Sequence, residues 1–536
     1  MDMAAPSWHH LILTASNERQ AIRRAFSHES GFAADDLAHL LAETPEPEAW
    51  LRDLCEEARR REQAGADEGP EDAFAFSRIM HTLGSGLIKW LEVRARNEEE
   101  RPLWQGWFHA FPTGLLEWLR GHRLQPDDYP DLSDWARRAQ SVAFEALRRT
   151  IVASGSRSQG PVRSSLRSDE IVWGRAPARL DLAGGWTDTP PYALEHGGAV
   201  LNAAVLLNGQ PPVQVYARVV PEPMIRVRSI DLGTDLDINC WDDLFNYDSA
   251  VGEFSLVKGA LVISGFIPTA GSSRNRTLRE ILTAFGGGIE ITTLAAIPKG
   301  SGLGTSSIMG SVLLAVIQRM LGRQLSPAEL FHAVLRLEQE LTTGGGWQDQ
   351  IGGTVGGLKL ITTSPGLVPE AAIRYVPTDV LDPRLNGGQT LLYYTGMTRL
   401  AKNILQNVVG RYLDRDREAL LALSQLGTLA SQMSEAAARK DLPQFGRLIG
   451  TAWQLNKKLD PHSTTEEIEA LLSQISPHIY GAKLLGAGGG GFLLLVCRSP
   501  DDATEVRLRL ETSPPNPRAR FFDCEPSAKG LEISVC

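Results

Sequence analysis

Cysteine is scarce in this chain. The 536 residues include only five, widely separated and without a Cys-x-x-Cys pair: Cys55, Cys240, Cys497, Cys524 and Cys536. Zinc ribbons and dithiol redox sites need closely spaced pairs, and a disulfide framework needs an even set. The sequence therefore predicts a reduced protein with neither kind of site.

Long apolar runs and an excess of basic residues are also missing. No stretch approaches the roughly 18 apolar residues of a membrane span, and no basic segment with an apolar core opens the chain, so we expect no signal peptide. The formal net charge is −10, which disfavours broad binding to nucleic acid or anionic membranes. We predict a cytoplasmic protein with small-molecule partners, no nucleic acid and no membrane. The sequence does not indicate an oligomeric state.

A Walker A loop is absent too, because no Gly-x-x-x-x-Gly-Lys-Ser/Thr segment occurs. A Gly-x-Gly-x-x-Gly segment does occur at residues 486–491, but the apolar run at 492–496 that follows it is typical of a strand. A dinucleotide-binding fingerprint must open a helix instead. We therefore predict that this segment joins two strands and packs closely against another element or a ligand.

The sequence does contain a strand, a glycine-rich turn and a helix start in succession. Apolar, β-branched residues at 289–293 lead into Pro-Lys-Gly-Ser-Gly-Leu-Gly-Thr-Ser-Ser at 298–307, and a helical apolar pattern follows from Ile308 to Met320. Glycines let backbone N–H groups converge on an anion, and the helix N-terminus adds partial positive charge. The segment predicts a phosphate-binding loop. The alternative is a glycine-rich connector with a Ser/Thr cap.

Length and patterning indicate several domains. Residues 1–152 show helical spacing from Leu37 onward and are interpreted as a helical accessory domain of unassigned role. The Ser/Gly/Arg stretch at 153–168 is interpreted as a linker that few contacts cross. From residue 169, strands alternate with helices, and Ser-Pro-Ala-Glu at 326–329 is a capping box that starts one of those helices.

Four segments stand out together. They are Arg-Ala-Pro-Ala-Arg-Leu-Asp-Leu-Ala-Gly-Gly-Trp-Thr-Asp at 175–188, the loop at 298–307, Gly-Gly-Gly-Trp-Gln-Asp-Gln-Ile-Gly-Gly at 344–353, and the glycine turn at 486–491. Their order and spacing resemble the small-molecule kinases of the GHMP family. The resemblance implies an α+β fold, with an ATP-binding domain at 169–375, a C-terminal domain at 376–536 and the active site between them. The helical accessory domain would precede this two-domain kinase.

The resemblance also implies roles for single residues. Asp349 matches the family's catalytic aspartate, which orients or deprotonates the acceptor hydroxyl, and Arg179 matches a basic residue beside it. The alternatives are a loop aspartate bonded to local N–H groups and a surface ion pair. Asp188 matches an aspartate that binds sugar hydroxyls. Trp186 packs on the sugar or fills the core, and Gly346 is assigned to the same substrate site.

ATP and Mg2+ are the implied cofactors. Ser306 matches the family's metal-binding hydroxyl, and Glu338, eleven residues before Asp349, is the carboxylate assigned to the metal. Glu340 would face roughly 200° away on a helix and is interpreted as solvated. The loop residues assigned to ATP are Pro298, Lys299, Gly300, Ser301, Gly302, Leu303, Gly304, Thr305, Ser306 and Ser307.

Within the family, the segments at 173–192 and 342–353 are similar to those of L-fucokinases. Galactokinases carry Gly-Glu-His-Thr-Asp where this chain has Gly-Gly-Trp-Thr-Asp at 184–188, which argues against galactose. The implied activity is phosphorylation of the anomeric hydroxyl of L-fucose by ATP and Mg2+, in salvage toward GDP-fucose. The first 165 residues are too short and too helical for a nucleotidyltransferase, so we predict no second activity.

Two alternatives to this activity stay open. The first is a D-glycero-D-manno-heptose 7-phosphate kinase, whose sugar pocket should offer additional Lys or Arg for the second phosphate. The other is a catalytically inactive, sugar-sensing regulatory protein. The intact set of Asp349, Arg179, Ser306 and Glu338 argues against that reading.

Overall fold

The computed structural model describes residues 47–65, 70–94, 104–153, 162–245, 254–266, 276–298, 300–341, 345–366, 369–397 and 401–536. The predicted helix near Leu37, half of the predicted linker, the loop residue Lys299 and Gly344 lie outside these residues. The chain divides into two compact units. The first holds the residues up to Ala153 together with Asn407–Leu421, and the second holds the remainder.

The first unit is helical. Its elements are α1 (Pro47–Gly65), α2 (Pro70–Arg94), α3 (Thr113–Gly121) and α4 (Leu132–Ala153), with 3-10 turns at Trp104–Ala110 and Pro126–Asp128. Apolar residues recur every three or four positions, so each helix buries one face. The core is rich in large rings, with Trp90, Trp104 and Trp135 all buried. The helical character predicted for this region is therefore confirmed for its described residues.

Mixed helices and sheets form the second unit. Its helices are α5 (Tyr192–His196), α6 (Trp241–Phe245), α7 (Ser255–Ile263), α8 (Leu278–Phe285), α9 (Thr305–Met320), α10 (Pro327–Glu340), α11 (Gln348–Thr354), α12 (Ala401–Leu413), α13 (Arg417–Ala438), α14 (Leu442–Leu459), α15 (Glu466–Ile475) and α16 (Pro500–Thr512). Short 3-10 turns occupy Pro461–Ser463 and Ser476–His478. The end of α12 and the start of α13 belong to the first unit.

The strands form three sheets. They are β1 (Ile171–Ala176), β2 (Ala178–Ala183), β3 (Ala199–Leu207), β4 (Val213–Val220), β5 (Ile225–Ser229), β6 (Thr234–Ile238), β7 (Gly288–Ala295), β8 (Leu358–Thr363), β9 (Ala371–Val376), β10 (Thr390–Tyr394), β11 (Ile479–Leu484), β12 (Phe492–Cys497), β13 (Arg520–Phe522), β14 (Cys524–Pro526) and β15 (Glu532–Val535). The sheet orders are β15-β1-β4-β7-β5-β6, β14-β3-β8-β9 with β2 beside β3, and β11-β12-β10-β13. β5 and β7 pair in parallel, whereas β4 and β7 pair antiparallel.

The predicted succession of strand, glycine turn and helix is confirmed. β7 ends at Ala295 and α9 begins at Thr305, directly after the loop. The apolar positions of the predicted pattern, from Ile308 to Met320, are buried. The helix after it also starts as predicted, since the Ser326 hydroxyl accepts the Glu329 N–H at 3.2 Å and the Glu329 carboxylate accepts the Ser326 N–H at 2.8 Å.

The glycine segment at 486–491 joins two strands, as predicted. β11 and β12 pair antiparallel on either side of it, with Leu484 opposite Leu493. Both strands are buried on both faces, and β12 packs its apolar side chains into the core of the C-terminal sheet. The turn is therefore held at the edge of a rigid hairpin.

Residues 407–421 belong to the same compact unit as the N-terminal helices, although they are distant in sequence. His81 Nδ1 on α2 lies 2.8 Å from Asp414 Oδ1, and a Cβ on Gly410 would come within 2.9 Å of the His81 ring. Val408 and Tyr412 are buried as well. These contacts lie within the first unit, and the low number of contacts across the linker at 153–168 stays a prediction.

Within the described residues, no helix is both long enough and apolar enough to cross a membrane.

Candidate active site

Strand β2 contributes two charged side chains on one face. Arg179 and Asp181 are two positions apart, so they point the same way, and both are buried. Arg179 Nε donates to Asp349 Oδ1 at 2.5 Å, and Nη1 donates to the carbonyl of Gly302 at 2.7 Å. Burial opposes the charge of Arg179, yet Asp349, with Asp181 and Asp188, raises its pKa. Arg179 therefore links three segments of the site and is not a surface ion-pair residue.

Asp349 lies in the first turn of the short helix α11. Its side chain is 22% exposed, in contrast to the buried arginine that it accepts from. The Asp349 carboxylate thus accepts a hydrogen bond from Arg179 and remains partly exposed, so that a ligand can reach it. That geometry suits a group that receives or orients a hydroxyl proton.

The glycine loop is seated on the turn at 486–491. Gly302 has φ of 82°, and a Cβ there would lie 2.1 Å from the Leu485 carbonyl oxygen. Beside it, the carbonyl of Ser301 accepts the Phe492 N–H at 3.0 Å. Only glycine allows both the left-handed backbone and this approach. The two glycine segments therefore pack directly against each other. This packing fixes the position of the loop and of the N-terminus of α9 that follows it.

Two of the three hydroxyl residues at the start of α9 have different surroundings. Ser306 is exposed, whereas Ser307 is buried and its hydroxyl donates to Glu338 Oε1. Gln350 Nε2 donates to the other oxygen of Glu338 at 2.7 Å. Burial raises the pKa of Glu338 to about 8 against the Ser307 hydrogen bond, and Asp349 and Asp188 add to the rise.

Asp188 contacts the N-terminal end of α11, the same end that carries Asp349. Its Oδ2 accepts the Gln348 N–H at 3.1 Å, and its buried Oδ1 has no hydrogen-bond partner among the described residues. A Cβ on Gly346 would come within 2.0 Å of Oδ2, so Gly346 is in direct contact with this carboxylate. Burial, and then the charge of Asp349, raises the pKa of Asp188 to about 7. Trp186 is half-buried with a left-handed φ of 80°.

Sequence reasoning missed one ion pair of the site. Lys483 at the start of the Lys-Leu-Leu-Gly segment donates to Asp181 Oδ2 at 2.6 Å and to the Asp181 carbonyl at 2.9 Å. Both side chains are buried, and burial lowers the pKa of Lys483 despite the carboxylate. Period-two alternation along β2 would have placed Asp181 beside Arg179. Lys483 itself carries no local signal.

Carboxylates outnumber cations in this cluster. Two cations, Arg179 and Lys483, lie among four carboxylates: Asp181, Asp188, Glu338 and Asp349. Burial is the main cause of the raised pKa values of Asp188 and Glu338, and the neighbouring carboxylates add to it. Among the described residues, no group of three or more His, Cys, Asp or Glu converges as a metal site. Magnesium is commonly bound by one or two carboxylates together with substrate phosphates, and Glu338 with the exposed Ser306 fits that donor set.

Comparison with known proteins defines the class of this chain. Residues 274–357 match the model of the GHMP kinases N terminal domain, and residues 433–516 match GHMP kinases C terminal. The glycine loop and α11 fall in the first match, and the glycine turn falls in the second. The chain therefore contains segments that match both GHMP kinase domains.

Particular relatives are similar over most of the kinase region. The chain is 42% identical to the L-fucokinase/L-fucose-1-P guanylyltransferase of Bacteroides fragilis over 398 residues, which is 74% of this chain and 42% of that protein. The chain therefore spans less than half the length of this relative. It is 27% identical to the D-glycero-alpha-D-manno-heptose 7-phosphate kinase of Campylobacter jejuni subsp. jejuni serotype O:2 over 60% of this chain and 87% of that protein.

A solved structure shows the same fold. The crystal structure of a D-glycero-D-manno-heptose 1-phosphate kinase from Bacteriodes thetaiotaomicron superposes with a TM-score of 0.50 at 22% identity, covering 68% of this chain and 98% of that one. The predicted α+β GHMP kinase fold is thereby confirmed.

Proposed function

We propose that this protein is a sugar kinase that transfers the γ-phosphoryl group of ATP to the anomeric hydroxyl of L-fucose, in salvage toward GDP-fucose. One observation carries the proposal. A Cβ on Gly304, at the end of the glycine loop, would lie 3.1 Å from both Arg179 Cγ and Asp349 Cγ. The proton-accepting carboxylate and its arginine therefore lie directly against the loop that would hold the phosphates.

The chemistry requires little beyond positioning and charge neutralisation. In the transfer, a bond forms between the anomeric oxygen and the γ-phosphorus, and the bond from that phosphorus to the β,γ-bridging oxygen breaks. The hydroxyl proton passes to Asp349, and ADP leaves. Arg179 stabilises the charge on the moving phosphoryl group and holds Asp349 in place. Backbone N–H groups of the loop and the N-terminus of α9 bind the phosphates.

Glu338 and Ser306 would hold a magnesium ion that neutralises phosphate charge when it is bound. Ser307 and Gln350 each donate a hydrogen bond to Glu338 and so fix the direction of its carboxylate. Ser307 is already bonded to Glu338, whereas Ser306 is exposed. We therefore assign the metal to the hydroxyl of Ser306.

The sugar side of the site favours an uncharged sugar. Asp188 Oδ1 is a buried acceptor without a partner among the described residues, which a sugar hydroxyl would satisfy. The cations Arg179 and Lys483 are both bound to carboxylates, so neither is a dedicated partner for a second phosphate on the sugar. This arrangement, with 42% identity to a protein named as an L-fucokinase against 27% to a heptose 7-phosphate kinase, supports L-fucose.

A sugar panel tests the proposal. The full chain is incubated with ATP, Mg2+ and L-fucose, D-galactose, D-mannose or D-glycero-D-manno-heptose 7-phosphate, and the phosphorylated carbon is identified by NMR. We expect L-fucose 1-phosphate as the main product. Preferential turnover of the heptose phosphate would establish the alternative kinase. ATP and sugar binding without transfer to any sugar would favour the regulatory alternative.

A further inference from the structure

Lys359 is a fully buried lysine on β8. Its Nζ donates to the carbonyl of Gly352 at 3.2 Å and to the carbonyl of Gly357 at 3.2 Å. Among the described residues, no carboxylate forms an ion pair with it, in contrast to Lys483. Burial of an ammonium beside neutral carbonyls alone costs free energy. A lysine at this position should therefore have a role that offsets this cost.

One of those two carbonyls belongs to the last turn of α11, the helix that carries Asp349. The last carbonyls of a helix have no partner within it. Here the Ile351 carbonyl accepts the Val355 N–H at 2.9 Å, and the Thr354 carbonyl accepts the Leu531 N–H at 3.0 Å. Lys359 satisfies the Gly352 carbonyl that lies between them. Its side chain therefore caps the C-terminal end of this helix.

The two glycines of α11 connect its position to the catalytic pair. A Cβ on Gly352 would lie 3.0 Å from Arg179 Cβ and 2.9 Å from Asn202 Nδ2. A Cβ on Gly353 would lie 2.5 Å from Ile308 Cγ1 in the first turn of α9. With its backbone this close to both elements, a small shift of α11 changes the contact between Asp349 and Arg179. Closely packed interiors transmit such shifts.

We propose that Lys359 is a positioning residue, which acts on phosphoryl transfer by anchoring the C-terminal end of α11 and so holding Asp349 against Arg179. The bond requires N–H donors, and both the ammonium and the neutral amine have them. Although burial lowers the pKa of Lys359 to about 7, no pH switch is part of the proposal. The effect on kcat, described below, rests on the proposed kinase activity. The distance between Arg179 and Asp349 in a crystal structure can be measured without it.

The experiment is a double-mutant cycle on the full chain. Lys359→Met removes the donors at similar length, and its effect on kcat is measured in the wild type, in Asp349→Asn and in Ser306→Ala. If Lys359 acts through Asp349, we expect at least a 10-fold lower kcat in the wild type with the KM for ATP within about twofold. We expect less than a threefold further loss in Asp349→Asn and the full loss in Ser306→Ala, since coupled residues are not additive.

Lys359→Gln is the conservative variant, because its amide still donates, and it should recover part of the lost kcat. Crystal structures of wild type and Lys359→Met give a readout independent of the sugar, in which the Arg179–Asp349 contact should lengthen in the variant. The same loss of kcat in Asp349→Asn as in wild type, an unchanged contact, or failure of both variants to fold would overturn the proposal. Turnover of another sugar but not L-fucose would contradict the proposed substrate and leave this inference testable on that sugar.

Discussion

At the scale of single residues, several charged side chains of the site have a specific partner. Arg179 binds Asp349, Lys483 binds Asp181, and Ser307 donates to Glu338. Partnered charges keep fixed positions in a poorly solvated site, where electrostatic interactions are stronger than in water. Removal of one member of a buried pair such as Lys483 and Asp181 therefore also costs stability, so the variants below are ones that keep the size of the side chain or change a more exposed position.

Asp349→Asn tests the proton acceptor. The amide keeps the size of the side chain but loses its charge and basicity, so kcat for L-fucose should fall by roughly 10²- to 10⁴-fold. ATP affinity, measured by calorimetry, should persist because asparagine keeps the size of the side chain that lies against Gly304, and the phosphates are bound by backbone N–H groups. Asp237→Asn is the matched control, since Asp237 also accepts from an arginine, Arg226 at 2.8 Å, but on the outer strand β6. Near wild-type turnover of Asp349→Asn would contradict the mechanism, and loss of both turnover and binding would point to a role in loop shape.

Ser306→Ala tests the metal assignment. Removal of one outward hydroxyl should raise the Mg2+ concentration needed for half-maximal turnover by several-fold, with unchanged thermal stability. Ser311→Ala is the control on the same helix, because that buried hydroxyl donates only to the Ser307 carbonyl at 2.9 Å. Overlapping magnesium titrations of Ser306→Ala and wild type would show that Ser306 does not bind the metal.

Asp188 makes the stability of the ligand-free protein depend on pH. Its pKa is raised to about 7 by burial and by Asp349, above its ordinary value near 3.9. The folded state therefore holds this proton more tightly than the unfolded state, and stability is lost as pH rises from about 4 through about 7. In Asp188→Asn that loss is absent. We expect denaturant unfolding to show equal stability at pH 4 and a variant more stable by roughly 1–4 kcal/mol at pH 8. Parallel pH curves would show that Asp188 titrates normally.

At the scale of elements, the glycine loop and the glycine turn depend on each other. Gly302→Ala forces a left-handed alanine against the Leu485 carbonyl, so it should raise the Kd for ATP at least tenfold, about 1.4 kcal/mol. Gly209→Ala is the matched control, with φ of 74° and no atom within 4 Å of the added methyl. It should show the backbone strain alone and bind ATP normally. Equal ATP affinities for the two variants would mean that the loop binds phosphate independently of the turn.

Local elements were predictable because their signals are local. The strand, loop and helix at 288–320 follow from β-branched residues, glycines and a helical period, and the cap at Ser326 follows from four consecutive residues. The pair of Asp181 and Lys483 was not predictable, because 302 residues separate its members. Lys359 gave no signal either, since a single lysine in an apolar strand indicates a solvent-facing position. The roles assigned to Asp349, Arg179 and Glu338 came from the family resemblance, not from spacing.

At the scale of the whole molecule, the N-terminal helices form one compact unit with Asn407–Leu421. Deletion of residues 1–160 would remove His81, the partner of Asp414, and the rest of the unit to which this segment, with the buried residues Val408 and Tyr412, belongs. An exposed apolar surface of that kind favours aggregation. We therefore expect the truncated chain to aggregate or to melt well below the full-length protein, as measured by light scattering and calorimetry. A soluble monomer with the full-length melting temperature would show that the helices are dispensable.

The pairing of His81 with Asp414 spans 333 residues, and this separation has a consequence for synthesis. A ribosome makes about 5–20 residues per second, and domains usually fold in the order of their synthesis. The N-terminal helices leave the ribosome early and can pack their own core of residues 51–146, yet the segment that joins their unit is made only after the glycine loop and α11. The contacts of this segment, including that of His81 with Asp414, must wait until residue 421 has emerged. The unit that begins the chain is thus the one whose folding cannot finish first.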